Sequence, residues 1–323
     1  MKKLLAGLMA IVVAFTLAGC GTKKAEADKV RIATQPNINC ANMLLAKVEG
    51  YFEQEFEQMG VAVEYSSFLN AIALLEGFAA RELDIGIGGD MPTLLAKANG
   101  RPVKVFSKAS SSETMTALVV RKDSGITNIA DLKGKKVTVY NGSISVRLLS
   151  SALNSVGLTL DDVETVNMPI PDAATAIESK QIDAATLWEP TLTKTMNTGL
   201  VTKLFDGKGG VQQNNHYYYA NEDFAKNNPK ILEAFIRATQ KASKQIAENP
   251  RAAAEKLKDE INLPTDDLAK LLAVWDFEAG IGDAEMEELE KVEKFNREND
   301  LTKNTVDLND YLDKSALNAV GIK

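Results

Sequence analysis

One order of elements occurs twice in this chain, and it limits the fold more than any other feature. Periodicity predicts a strand at 29–34, a helix at 40–56, a strand at 61–65, a helix at 71–80 and a strand at 83–87. The order returns as a strand at 136–140, a helix at 143–156, a strand at 163–166, a helix at 173–180 and a strand at 182–187. Strands alternating with helices argue for an α/β fold, each unit a mostly parallel sheet flanked by helices. The ends of the two units match in detail. Glu82-Leu83-Asp84-Ile85 parallels Gln181-Ile182-Asp183-Ala184, Asp90 and Glu189 each stand six residues after the aligned aspartates, and Pro92 and Pro190 close both segments. Two copies at so long a period read as two lobes of related design and not as a solenoid. From Asn221 onward the pattern is helical. Pro229 opens one helix, Asn249-Pro250 ends it and starts another, and Pro264-Thr265-Asp266-Asp267 begins a third.

In open parallel sheets, ligands bind beyond the carboxyl ends of the strands. That rule nominates the loops at 35–39, 67–70, 88–91, 141–145, 169–172 and 188–190 as walls of a cleft between the lobes. The segment 110–114 reads as a connection that flexes. The candidate ligand-binding residues are Gln35, Asn37 and Asn39, then Asn70, then Gly89, Asp90 and Met91, and Thr114 in the connection. In the second unit they are Asn141, Gly142, Ser143, Ser145, Trp188 and Glu189. Asn141 to Ser145 follows a strand and opens a helix, where free N–H groups and the helix dipole hold an anion or a carbonyl. Ser143 serves equally as a plain N-cap. Trp188 either stacks on a ligand or fills core. Asp90 and Glu189 either bind a cationic group or accept backbone N–H groups at the lobe junction. His216, Tyr217, Tyr218 and Tyr219 fall where the chain returns to the first unit. Strand alternation puts Tyr217 and Tyr219 on one face and His216 and Tyr218 on the other. Tyr217 is carried as a ligand contact, and Cys40 reads as a buried, inert thiol.

The N-terminus is a separate matter. Lys2 and Lys3 precede an apolar run from Leu4 to Leu17, followed by Ala18, Gly19 and Cys20. The run is too short for a permanent span, which needs about 20 residues, and the order is that of a secretory signal peptide over 1–19. Leu17-Ala18-Gly19-Cys20 resembles the bacterial lipobox, which implies a lipid on Cys20. Residues 20–28 read as a flexible, polar stalk. Removing 1–19 takes away Lys2 and Lys3, so the net charge of −7 becomes −7 − 2 = −9. No Lys/Arg-rich run is present, which argues against nucleic acid. Two cysteines and one histidine leave little from which to build a metal site, a disulfide framework or a Ser-His-Asp triad, and no cofactor or metal is expected.

With these residues in view, the chain resembles the solute-binding proteins of bacterial ABC importers of the sulfonate/nitrate/taurine type. The markers are Gly89-Asp90-Met91-Pro92 after a Leu-Asp-Ile-Gly strand, Ile129-Ala-Asp-Leu-Lys-Gly-Lys-Lys-Val137, Asn141-Gly-Ser143, Gly157-Leu-Thr-Leu-Asp-Asp-Val163, and Ile182-Asp-Ala-Ala-Thr-Leu-Trp-Glu-Pro190. The resemblance implies a two-lobe, periplasmic-binding-protein-like fold of type II, with lobe 1 at 29–115 plus 220–323 and lobe 2 at 116–219. It also implies lobe closure on one small solute, delivery to a permease with a cytoplasmic ATPase, and an extracytoplasmic, lipid-anchored monomer. The ligand stays open. Leu69-Asn70 replaces the small Ser-Gly pair often seen in such proteins. The nominated loops hold Asp90, Glu113, Asp172 and Glu189 against Arg147 alone. An unpaired anion beside buried carboxylates is costly, so a neutral or zwitterionic ligand such as a thiamine-precursor pyrimidine competes with a sulfonate. An enzyme like the pyrimidine-synthesising relatives is a further alternative, but those resemble proteins that depend on cysteine- and histidine-rich motifs, which this chain lacks. A surface sensor or adhesin is a third, without any appended domain to support it.

Overall fold

The computed structural model describes residues 27–68 and 71–322. The expected signal peptide, the expected lipid site Cys20 and the expected stalk up to residue 26 lie outside the described residues, as does Asn70. Of the expected stalk, Ala27 is docked, its N–H donating to Asn228 Oδ1 at 2.8 Å.

The strands are β1 (Lys29–Thr34), β2 (Ala62–Ser67), β3 (Ile85–Gly89), β4 (Val103–Ser112), β5 (Thr116–Arg121), β6 (Lys136–Val139), β7 (Glu164–Asn167), β8 (Ala184–Trp188), β9 (Val201–Asp206) and β10 (Asn214–Asn221). They form two five-stranded sheets, ordered β2-β1-β3-β10-β4 and β7-β6-β8-β5-β9. In the first, β10 runs antiparallel to both neighbours, and in the second β5 does. The other four strands of each sheet share one direction, so both are mostly parallel, as the alternating pattern predicts. The odd strand is in each case the first one laid down after the chain arrives from the other lobe.

The matched aspartates do the same work in both lobes. Asp84 Oδ2 accepts the Arg31 N–H at 2.9 Å, and Asp183 Oδ2 accepts the Lys136 N–H at 2.9 Å. Each ties together two parallel strands that are neighbours in the sheet, β1 with β3 and β6 with β8. Asp84 also takes the Arg31 guanidinium at 2.7 Å.

Two expectations need correction. The helix predicted over 40–56 is broken into Ala41–Val48 and Tyr51–Glu57. Gly50, at φ +67, takes the left-handed conformation that ends the first piece. The segment 110–114 is mostly not a connection. Ser110, Ser111 and Ser112 are the buried end of β4, and Ser110 Oγ donates to the Asn39 carbonyl at 3.0 Å. The chain changes sheets at 113–115 and again at 207–213. The second passage comes before the boundary expected at 219/220, because β10 pairs along its whole length with β4.

At the passages the two chain segments touch backbone to backbone. Gly207 N–H donates to the Glu113 carbonyl at 3.1 Å, and a Cβ on Gly207 would lie 2.3 Å from Gln212 O and 2.5 Å from Glu113 O. Only glycine fits there. Lobe 1 has one large core in which Phe52, Phe106, Tyr218 and Phe235 interlock, with ring centroids 4.9–6.4 Å apart. Lobe 2 has a smaller core on each face of its sheet. Among the described residues no helix is long and apolar enough to cross a membrane.

Candidate functional site

In both sheets the strand order reverses between two parallel strands, at β1 and β3 in one lobe and β6 and β8 in the other. Such switch points leave a crevice at the carboxyl ends of the strands. Here the two crevices face each other and enclose a cavity of about 110 Å³. Its walls are Gln35, Asn37 and Asn39 after β1, Gly89, Asp90 and Pro92 after β3, Tyr140, Gly142, Ser143 and Ile144 after β6, and Trp188 at the end of β8. Met115, Asn214, Asn215 and His216, from the passages between lobes and the start of β10, complete it.

On the first lobe, Asn37 Oδ1 accepts the Ile38 N–H at 2.6 Å and fixes the turn that carries Asn39. Asp90 begins the helix Asp90–Ala98 and is 1% exposed. Its Oδ1 accepts the Met91 N–H at 2.7 Å, the Asn215 N–H also supports the carboxylate, and Oδ2 makes no hydrogen bond of good geometry among the described residues. Desolvation pushes this carboxyl up to about 7, against the pull of the Arg147 charge and with a further push from Glu288. Burial pushes the His216 imidazole down to about 4, so the ring is neutral. The Cys40 thiol, pushed up to about 12 by burial, hydrogen-bonds the Gln35 N–H and stays off the cavity wall.

On the second lobe, Gly142 turns the chain at φ +71 into the helix Ile144–Asn154. Ser143 caps that helix, accepting the Ser145 N–H at 3.3 Å and donating to the Tyr140 carbonyl at 2.6 Å. Ser145 Oγ accepts the Tyr140 N–H at 2.9 Å and is fully buried, so it braces the turn from behind. Trp188 is half-buried and meets Tyr140 edge-on, ring centroids 6.1 Å apart at 65°. The two rings make an aromatic wall opposite the polar one.

The structure therefore brings Gln35, Asn37, Asn39, Gly89, Asp90, Gly142, Ser143 and Trp188 together on one cavity. Other nominated residues stand elsewhere. Met91 and Tyr217 are fully buried in the lobe 1 core, because both faces of that sheet are covered by helices. Thr114 lies in the passage, its N–H bonded to Ser112 Oγ at 3.1 Å. Asn141 is exposed and its N–H is tied to Asn167 Oδ1 at 2.9 Å. Glu189, 3% exposed, accepts both the N–H and the hydroxyl of Thr193, capping its own lobe's next helix. Met115, Tyr140, Asn214 and Asn215 line the cavity from outside the nominated set. The last two sit at the start of the antiparallel strand, where the strand-end rule for parallel sheets gives no signal.

The cationic residue closest in sequence to this site is not on its wall. Arg147 projects from the helix Ile144–Asn154 to Glu288 of the helix Asp283–Glu298 in the other lobe, with Nη1 and Oε1 2.6 Å apart and both side chains 9% exposed. A second interlobe bond joins Asn197 Nδ2 to Asp267 Oδ2 at 2.8 Å.

A putative aliphatic sulfonates-binding protein of Bacillus subtilis is 29% identical over 248 residues, covering 75% of this chain and 73% of that protein. A 4-amino-5-hydroxymethyl-2-methylpyrimidine phosphate synthase of Aspergillus parasiticus is 26% identical over 232 residues, 68% of this chain and 66% of that one. Among solved structures, the alkanesulfonate-binding protein SsuA of Xanthomonas axonopodis pv. citri, bound to MOPS, superposes with a TM-score of 0.79 at 21% identity over 89% of this chain and 99% of that one. This is the two-lobe fold of periplasmic binding proteins. The family model described as NMT1/THI5 like matches residues 37–253, two thirds of the length, and the chain belongs to that family.

Proposed function

We propose that this protein is the solute-binding component of an ABC importer, held outside the cytoplasm by a lipid on Cys20. It captures one small organic solute between its lobes and delivers it to a membrane permease driven by a cytoplasmic ATPase. The observation that carries this reading is the cavity itself, which takes its walls from both lobes at facing switch points. A ligand that touches both walls favours the arrangement in which they meet. The relatives named for sulfonate binding support a small solute. So does the size, since a cavity of about 150 Å³ takes up a molecule as large as benzene. The pyrimidine synthase relative is the competing reading. Against turnover stand a neutral His216 and a Cys40 thiol held protonated away from the wall.

The test is calorimetric titration of the mature protein with small sulfonates, amines, pyrimidines and carboxylates. Saturable binding at one site per chain, without product, is expected. At 100 times its Kd a ligand adds about 2.7 kcal/mol of stability. Turnover of a bound compound would replace this reading with an enzymatic one. For the anchor, replacing Cys20→Ser should release the protein from the membrane fraction.

A further inference from the structure

One wall of the cavity is rich in polar atoms that nothing among the described residues satisfies. Asp90 Oδ2, Asn39 Oδ1 and His216 Nδ1 are buried and make no hydrogen bond of good geometry, on residues 1%, 2% and 7% exposed, and Gln35 Nε2 is a buried donor in the same position. All four residues line the cavity and all come from lobe 1. Leaving a buried polar atom unpaired costs about 1–3 kcal/mol, so four on one wall are hard to account for as packing. The other orphan atoms, such as the Tyr217 and Tyr219 hydroxyls, are scattered and do not share a wall of this cavity. Asn42, as deeply buried, bonds Ala109 O, Ser243 Oγ and the Tyr218 hydroxyl.

The charges point the same way. Among the described residues no lysine or arginine lines the cavity. Arg147 is engaged by Glu288 at 2.6 Å, and Glu288 in turn has Lys291 at 3.9 Å. An anion placed here would meet a carboxylate and no free cation. N–H donors for it are the turn at Gly142 to Ile144 on the far wall and the buried Gln35 amide on this one.

We infer that this wall is a subsite for the amino group of the solute, a primary ammonium or a ring-bound amine that donates to Asp90 Oδ2, Asn39 Oδ1 and His216 Nδ1. The inference rests on the solute-binding reading and narrows its ligand class. An ammonium has three donors and no acceptor, which matches three orphan acceptors. The rest of the molecule lies toward Trp188 and Tyr140, whose ring faces also favour a nearby cation. The neutral state of His216 fits, since only an uncharged imidazole keeps an acceptor nitrogen. A carboxyl raised to about 7 by desolvation becomes a full anion once a cation is set against it. An acidic group elsewhere on the same solute is compatible, at the Gly142–Ile144 turn.

Matched pairs test this. Calorimetry at pH 7.5 would compare taurine with ethanesulfonate, and 4-aminopyrimidine with pyrimidine. The first pair reports an aliphatic ammonium and the second a ring amine. The amino member of at least one pair is expected to bind 100-fold or more tighter than its amine-free partner. Asp90→Asn keeps an oxygen for the Met91 N–H, and should remove most of that difference while leaving the melting temperature at or above that of wild type, since it removes a desolvated carboxylate. Should the variant fail to fold, the wild-type pairs still decide. Equal or weaker binding of the amino member in both pairs overturns the amino subsite and leaves the solute-binding reading standing. Conversion of any probe to product would overturn both.

Discussion

The ion pair between Arg147 and Glu288 gives the sharpest prediction. The perturbation is Glu288→Gln, which removes one charge and keeps the shape. Both side chains are 9% exposed, so solvent screens the pair little. Breaking a buried pair by removing one partner costs about 3–5 kcal/mol when the survivor stays buried. Here the partners belong to different lobes, and parting the lobes returns Arg147 to water. The penalty therefore falls on closure and not on folding, and Asp90 offsets part of it through its attraction to Arg147. We expect about 2–3 kcal/mol against closure, which weakens ligand binding roughly 30- to 150-fold at 1.4 kcal/mol per tenfold. The melting temperature of the unliganded protein should move little. Calorimetry with the tightest ligand found, small-angle scattering with and without it, and thermal melting together separate the two effects. Arg147→Met should be milder, because Glu288 keeps Lys291 at 3.9 Å, and Arg147→Met with Glu288→Met should recover much of the loss. A Kd within twofold of wild type with a lowered melting temperature would refute the reasoning and make the pair a fold element.

Trp188→Ala should weaken binding about 10- to 100-fold with little loss of stability, since the ring is half-buried on the cavity wall; unchanged affinity would place it in the core. Stability of the unliganded protein should fall as pH rises from about 4 to about 7, because the two carboxyls of Asp90 and Glu189 hold protons there that the unfolded chain has released. They outweigh the single buried neutral His216, which acts in the opposite direction. Asp90→Asn should flatten that slope in chemical denaturation, and a slope of opposite sign would show that other groups dominate. Gly207→Ala puts a Cβ against two backbone oxygens and should cost about 1–3 kcal/mol, read as a lowered denaturation midpoint; a neutral result would mean the passages shift apart freely.

Much of this architecture is legible in the amino-acid sequence. The two-fold order of strands and helices, the matched aspartates and the strand-end loops lead to the sheets and to most of the cavity wall. What stays hidden has physical causes. Ser110, Ser111 and Ser112 look like a linker by composition, yet their hydroxyls are satisfied by Asn39, Asp276 and Thr114, so they are tolerated inside a sheet. Met91 and Tyr217 stand beside wall residues in sequence, but helix and strand periodicity turn them into the core. Glu189 aligns with Asp90, yet a threonine four residues on gives it a local partner. Arg147 stands out as the lone cation near the site, whereas nothing local in the chain points to its partner 141 residues away.

The pairing of β5 with β9, Ala117 opposite Asp206, also bears on how the chain folds. Strands β4 and β10 of lobe 1 meet at Ser112 and Asn214, with the whole of lobe 2 looped out between them. A disordered loop of that length makes the pairing slow and entropically unfavourable. Once lobe 2 has folded, its own two ends lie side by side, and the loop still free to move shrinks from about 100 residues to about a dozen. That is three doublings, or roughly 2 kcal/mol of closure entropy. Lobe 2 thus acts as a clasp that lets lobe 1 finish its sheet, which orders assembly from the inserted segment outward.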